Sequence, residues 1–164
     1  NWIVSFASEL AFGEGINDTT ALPPYKQFFA GGPGSVRGFA ESDLGPVDSF
    51  GNPYGGNLLV TSQLELIIPV PETLRGRTRF SLFYDIGNVF NTGEVAFTDR
   101  LGDPIAYDFD SGALRQSFGI AAEWLAPLGL FRFSYAVPLN EVSGTDRIFG
   151  DRVERFQFSI GNAF

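Results

Sequence analysis

Cysteine, methionine and histidine are all absent from the 164 residues. Without cysteine there is no disulfide framework, thiol nucleophile or zinc–thiolate site, and cysteine usage says nothing of the redox compartment. Without histidine the commonest general base and transition-metal ligand is missing, and a usual serine triad cannot be completed. Cations are scarce. The 11 Lys and Arg stand against 19 Asp and Glu, a formal charge of −8, so the basic footprint of a nucleic-acid binder is lacking. Long apolar runs are wanting too: no stretch approaches the roughly 20 residues of a transmembrane helix. No basic segment followed by an apolar one opens the chain, so no signal peptide is visible. Asn1 in place of Met suggests a processed or truncated start. Length alone suits one domain.

Phenylalanine, by contrast, is abundant, with 18 copies, and Gly and Pro contribute 20 and 10. Most of the phenylalanines fall in segments that alternate with period two, the pattern of a half-buried strand. Six such segments occur. Trp2, Val4, Phe6, Leu10 and Phe12 oppose Ser5, Ala7, Glu9 and Ala11. Leu58, Val60, Leu64, Leu66 and Ile68 oppose Thr61, Gln63 and Glu65. Phe80, Leu82, Tyr84 and Ile86 oppose Arg77, Arg79, Ser81 and Asp85. Leu114, Phe118, Ile120 and Trp124 oppose Arg115, Ser117, Gly119 and Glu123. Phe131, Phe133, Tyr135 and Val137 oppose Arg132 and Ser134, and Phe156, Phe158, Ile160 and Phe164 oppose Arg155, Gln157, Ser159 and Gly161. No segment carries a capped helical period, and no sequence repeat is evident.

The predicted architecture is all-β and antiparallel, and its connections are uneven. A Gly/Pro/Asp-rich segment of about residues 14–57 is followed by a short turn around 71–76 and a long loop over about 91–112. A tight turn at 126–129 and a medium loop over about 139–151 complete the series. Short turns at one end and long loops at the other are the habit of an outer-membrane β-barrel, whose membrane character hides in alternation. A soluble sheet that buries its apolar face and exposes its charges would show the same periodicity. A soluble β-sheet binding module therefore stays open. Aromatics at strand ends (Trp2, Phe12, Phe90, Trp124 and Phe164) favour the membrane alternative, as an interfacial girdle.

The first long loop contains Gly31-Gly32-Pro33-Gly34-Ser35-Val36-Arg37-Gly38-Phe39. No Gly-Lys-Ser/Thr follows, so it is not a phosphate-binding loop. Two readings remain: a flexible glycine loop, or a structured one that bends sharply to present a single arginine.

The run Val36-Arg37-Gly38-Phe39 resembles the loop motif of the BamA-type outer-membrane assembly factors, the barrel-assembly machinery superfamily. Phe83-Tyr84-Asp85-Ile86-Gly87-Asn88-Val89-Phe90 is similar to that family's second barrel motif. Ser62–Leu66, Pro127-Leu128-Gly129 leading into Phe133-Ser134-Tyr135-Ala136, and the ending 154–164 resemble its later strands, in matching order along nearly the whole chain. The resemblance implies an integral protein of the bacterial outer membrane with no enzymatic chemistry and no cofactor. It would insert client outer-membrane proteins by templating their strands at a weak barrel seam. The implied loop folds into the barrel lumen, where its arginine, matched by Arg37, meets acids matched by Glu65 and Asp85. Parity agrees, since both acids fall on the polar face of consecutive strands. The alternative is that they only balance the wall arginines Arg79 and Arg115.

The last strand, about 152–164, is implied to form one side of the gate. Phe156, Phe158, Ile160 and Phe164 supply its alternating aromatic and aliphatic face, and Gly161 is a candidate kink. Implied partners are client proteins, the lipid bilayer, accessory lipoproteins, and the remaining barrel strands or other copies of the chain; nucleic acid is not among them. A secretion transporter of the same superfamily is the rival within the resemblance. Six strands are too few for the smallest ordinary membrane barrel, of about eight. The resemblance implies a sixteen-stranded barrel whose last six strands this chain matches, so residues 1–164 are expected to be its C-terminal portion, unable to close alone.

Weaker candidates exist. Asp99, Asp103, Asp108 and Asp110 could hold calcium, but their spacing fits no EF-hand. Asn17-Asp18-Thr19 is formally a glycosylation sequon, and the Glu65/Asp85 pair lacks the setting of a glycosidase.

Overall fold

Alternation at period two becomes six long strands in the computed structural model, which describes residues 2–15, 22–74 and 76–161. The strands are β1 (Ile3–Phe12), β2 (Leu58–Ile68), β3 (Thr78–Phe90), β4 (Arg115–Ala126), β5 (Gly129–Pro138) and β6 (Phe156–Gly161). They form one antiparallel sheet in chain order, each strand paired with its sequence neighbour. The register is continuous, from Phe6 opposite Leu64 and Leu64 opposite Tyr84 to Tyr84 opposite Phe118. Among the described residues the sheet is open, with β1 at one margin and β6 at the other. Helical structure among them amounts to two three-residue 3-10 turns, Pro24–Lys26 and Ser111–Ala113.

The two faces are dressed differently. Phe6, Leu10, Leu64, Leu82, Phe118, Ile120, Phe133, Phe158 and Ile160 point to a side that no other part of the described chain covers; Leu10 is 74% exposed and Ile120 59%. The other side carries the polar residues, and residues 30–44 of the connection from β1 to β2 fold across it. There Thr61, Ser81, Asp85, Ser117, Ser134 and Gln157 are buried. A soluble sheet would bury its aliphatic face instead, because exposing that much apolar surface to water costs roughly 25 cal/mol per Å². The soluble module is therefore the wrong choice, since the dry face in water is here the polar one.

The core lies between the covering segment and the long-loop end of β2 and β3. Ala30, Val36, Phe39 and Leu44 pack there against Leu59 and Val89. On β2 and β3 the inner face is thus layered, with apolar residues near the long loops and the charged Glu65, Asp85 and Arg79 toward the short turn. The glycine-rich run is not a flexible loop. Ser35 closes it by accepting from the Gly31 N–H at 2.8 Å and donating to the Gly31 carbonyl at 3.0 Å, and the Gly32 N–H reaches the Phe39 carbonyl at 3.0 Å.

One boundary and one aromatic depart from expectation. The terminal segment does not run as one strand from residue 152. Val153–Glu154 leaves the sheet to pair with Gly38–Phe39 of the covering segment, and wall pairing begins at Phe156. Phe164 lies outside the described residues. Trp2, Phe12 and Trp124 are exposed at strand ends, but Phe90 is only 2% exposed and is no girdle residue. The loop after β3 folds over it, and Phe109 meets its ring edge-on at 5.1 Å. Parity puts a residue on a face; it does not foresee a loop folding over that face.

Candidate functional site

Arg37 is delivered to the inner wall by the turn at Gly31–Ser35, which Gln63 of β2 pins by donating to the Ser35 carbonyl at 2.8 Å. Its guanidinium grips Asp85 of β3 with two parallel bonds, Nε to Oδ2 and Nη2 to Oδ1, both 2.7 Å. The Arg37 backbone N–H adds a third bond to the same carboxylate at 3.1 Å. Nη1 donates to Glu65 of β2 at 2.5 Å. The Asp85 side chain is fully buried and that of Arg37 is 8% exposed, so these bonds are shielded from the water that would weaken them. Fork-to-fork arginine–carboxylate pairs are among the stronger hydrogen-bonded contacts, and their planarity fixes orientation as well. Burial works against the charge on Arg37. The hydrogen bond and charge of Asp85, followed by those of Glu65, outweigh it and hold the guanidinium above its ordinary value.

Phe83 completes the cradle. The Arg37 guanidinium carbon sits 3.6 Å from the centre of its ring, a cation–π contact that gains in a desolvated setting. A large ring on the polar face breaks the alternation of β3, and room for it comes from the neighbouring strand. A Cβ on Gly119 of β4 would lie 2.7 Å from Phe83 Cζ, so glycine there is what admits the ring.

The acids do not divide cleanly between loop and wall. Glu65 accepts from Arg37 with one oxygen and from Arg79 with the other, the latter at 2.9 Å. Arg79 continues to Glu123 at 3.6 Å, and Glu123 to Arg132 at 3.1 Å. A chain of alternating charge thus crosses β2, β3, β4 and β5. Arg115 stands apart from it and pairs with Asp151 of the last loop at 2.6 Å.

The other motif residues have separate tasks. Val36 and Phe39 are wholly buried in the core on either side of the arginine. Gly38 has φ +93°, and a Cβ there would stand 2.9 Å from Ala136 Cβ on β5. Conformation and space both demand glycine at this position. Of the terminal-strand candidates, Phe156, Phe158 and Ile160 face outward and are exposed. Gly161 is paired opposite Leu130, whose carbonyl oxygen would lie 4.0 Å from an added Cβ, an ordinary contact. These four residues are not brought to the arginine cradle.

Sequence reasoning missed Gln157, Asp43 and Arg152. Gln157 Oε1 accepts from the Gly38 N–H at 3.2 Å and its Nε2 donates to the Phe39 carbonyl at 2.7 Å. Arg152 donates from Nε and Nη2 to one Asp43 oxygen at 2.8 and 2.5 Å, and from its backbone to the other at 3.0 Å. The Asp43 bonds, then its charge, raise Arg152 above the ordinary value. The only local signal for Gln157 was its amide at an inward parity position.

The acidic loop holds no metal-type cluster among the described residues. Asp99 accepts from the Leu101 and Asp103 N–H groups, and Asp110 from that of Gly112, so these carboxylates shape turns. Arg147 pairs with Asp99 and Asp103. Asn17, Asp18 and Thr19 lie outside the described residues.

An open antiparallel wall with an apolar outer face and a loop arginine fixed on the inner one narrows the comparison with known proteins. The whole chain, residues 1–164, matches the Omp85 superfamily domain. The chain belongs to the Omp85 superfamily. Along 95% of its length this Omp85 chain is 35% identical to the outer membrane protein assembly factor BamA of Neisseria meningitidis serogroup B. It is 28% identical, over 99% of its length, to a SAM50-like protein of Drosophila melanogaster. In three dimensions it is similar to the crystal structure of BamA from Haemophilus ducreyi lacking POTRA domains 1–3, with a TM-score of 0.73 and 32% identity over 96% of the chain. The chain spans 21% of the meningococcal relative, 33% of the Drosophila one and 30% of the Haemophilus chain. Its open six-stranded sheet has the fold of Omp85 barrel wall, and the outer membrane is where such a wall resides.

Proposed function

We propose that the chain is the C-terminal portion, residues 1–164, of the barrel of an assembly factor that inserts β-barrel proteins into the outer membrane. The work is mechanical and needs no covalent chemistry. Unpaired backbone groups along a strand margin are a template for another strand, and lipid offers them no hydrogen-bonding substitute. In this reading the margin at β6, with Phe156, Phe158, Ile160, Gly161 and Phe164, offers pairing to the last strand of a client outer-membrane protein. The remaining barrel strands close the wall elsewhere, and accessory lipoproteins assist from outside it. The latch at Arg37 holds the covering loop in the lumen and keeps β2 and β3 in shape while the seam exchanges partners.

The observation that carries this reading is the buried two-pronged bond between Arg37 and Asp85, with Glu65 as the third member. A loop fastened this firmly to an inner wall is a structural part of the barrel. Replacing Arg37 with Ala in the full-length parent protein is expected to expose the loop to protease and to slow client insertion into liposomes at least tenfold, since each 1.4 kcal/mol lost is a factor of ten. Unchanged loop protection together with full-rate insertion would sink the assignment. Export of a soluble substrate in place of insertion would favour the secretion transporter.

A further inference from the structure

The loop that carries Arg37 is bonded as thoroughly to the terminal segment as to β2 and β3. Gly38 and Phe39 pair with Glu154 and Val153 in antiparallel register. The Ala40 N–H continues the ladder to the Arg152 carbonyl at 2.8 Å, and Arg152 closes on Asp43. Gln157 then reaches back from β6 itself, one end of its amide on the Gly38 N–H and the other on the Phe39 carbonyl. It is 5% exposed and lies opposite Ser134 on the inner face. A glutamine amide presents one acceptor and one donor, and here both are used on the backbone of two adjacent loop residues.

This arrangement diverts chain from the wall. β5 extends to Pro138, while β6 pairs only with Leu130–Tyr135, and the Ala136 N–H closes on the Arg155 carbonyl. Continuing the same register would set Glu154 and Val153 opposite Val137 and Pro138. Proline has no N–H to donate, so the wall has less to offer these residues than the loop does. The last strand is therefore short because the loop holds its first residues inside.

We propose that Gln157 is the positioning residue that couples the seating of the arginine loop to the register and inward lean of the terminal strand. The proposal rests on the seam role given to β6 above. Through Gln157 the seam strand is referenced to Arg37, and so to Asp85 and Glu65 on the far side of the sheet. A loop that lifts must loosen β6, and a β6 that peels away must pull on residues 38 and 39.

The test is hydrogen exchange on the full-length parent protein in lipid nanodiscs, paired with client insertion for each form. Gln157→Met keeps the length of the side chain and removes both bonds; Gln157→Glu keeps an acceptor for the Gly38 N–H and turns the donor into a charge facing the Phe39 carbonyl. Both variants are expected to speed exchange of amides in 38–43 and 152–157 by about tenfold, Gln157→Met through two lost hydrogen bonds and Gln157→Glu through one lost bond and a carboxylate set against the Phe39 carbonyl. Amides in the middle of β3 and β4 should keep their protection, which confirms that the barrel is folded. Insertion should slow in step with exchange. Unchanged exchange in Gln157→Met overturns the coupling whatever the insertion rate. Faster exchange with insertion at the wild-type rate overturns the positioning role. A wild-type protein that inserts no client sinks the assembly reading instead, and the exchange result still decides whether loop and strand are tied.

Discussion

The two faces of this sheet are built from alternate residues of the same six strands, yet they meet opposite surroundings. Leu82 points outward and is exposed, while its neighbours Ser81 and Phe83 point inward and are buried. The outer face is made uniform by large apolar side chains whose partner is lipid. The inner face is made of specific contacts, because the partner there is a folded segment of the same chain. Lipid asks only for apolarity at each outer position. The inner loop asks for a carboxylate at 85, a ring at 83 and no side chain at all at 38 and 119. Substitutions should therefore be read differently on the two sides.

The largest effect is expected on the inner face. Asp85→Ala leaves the Arg37 guanidinium buried with Glu65 as its remaining acid, at a cost of about 3 kcal/mol. Urea titration of the refolded parent protein in lipid should register the loss, and protease should then cut within residues 31–43. A stability equal to wild type would mean that the latch is ornamental and that the contrast between the faces is overstated.

On the outer face, Leu82→Arg places a charge against lipid on a strand with neighbours on both sides. A cost of about 2 kcal/mol is expected, in the range measured for barrel residues facing the bilayer. The latch should be untouched, so loop protection must stay at the wild-type level. Leu82→Phe should be silent, since any large apolar group serves there. Loss of stability with the phenylalanine variant would show that the outer face is as particular as the inner one.

The smallest effect separates shape from charge beneath the arginine. Phe83→Leu keeps an apolar floor but removes the ring under the guanidinium, and about 1 kcal/mol should be lost. Combined with Arg37→Ala, the Phe83 change should cost less than it does alone. A double-mutant cycle that closes at zero coupling would remove the cation–π contact from the account.

How much was legible beforehand follows the same division. The six strands, their order, the short and long connections and the inward parity of Glu65 and Asp85 all lie in patterns of two to ten residues. The motif at 36–39 was marked by its resemblance to a family loop, whereas its glycines alone left a flexible loop and a structured one equally open. Much less was legible where contact spans the chain. Gln157 and Phe39 are 118 residues apart, and Arg152 and Asp43 are 109 apart. Nothing within a window of either member announces the other. Phe90 misled for a related reason, since its parity is that of the outer face, yet it is buried and Phe109 of a distant loop meets its ring.

Alternation by itself determined that this protein is a sheet with one apolar and one polar face, since successive side chains of a strand must point to opposite sides. It could not determine which of those faces would be dry. That was decided by the tertiary structure, in which residues 30–44 fold over the polar face and join Arg37 to Asp85 and Glu65 and residues 38–43 to the terminal segment. Pleating is a local property of the backbone. What comes to lie on each face depends on where a long loop can satisfy its charges and its own backbone, and that is a property of the whole fold.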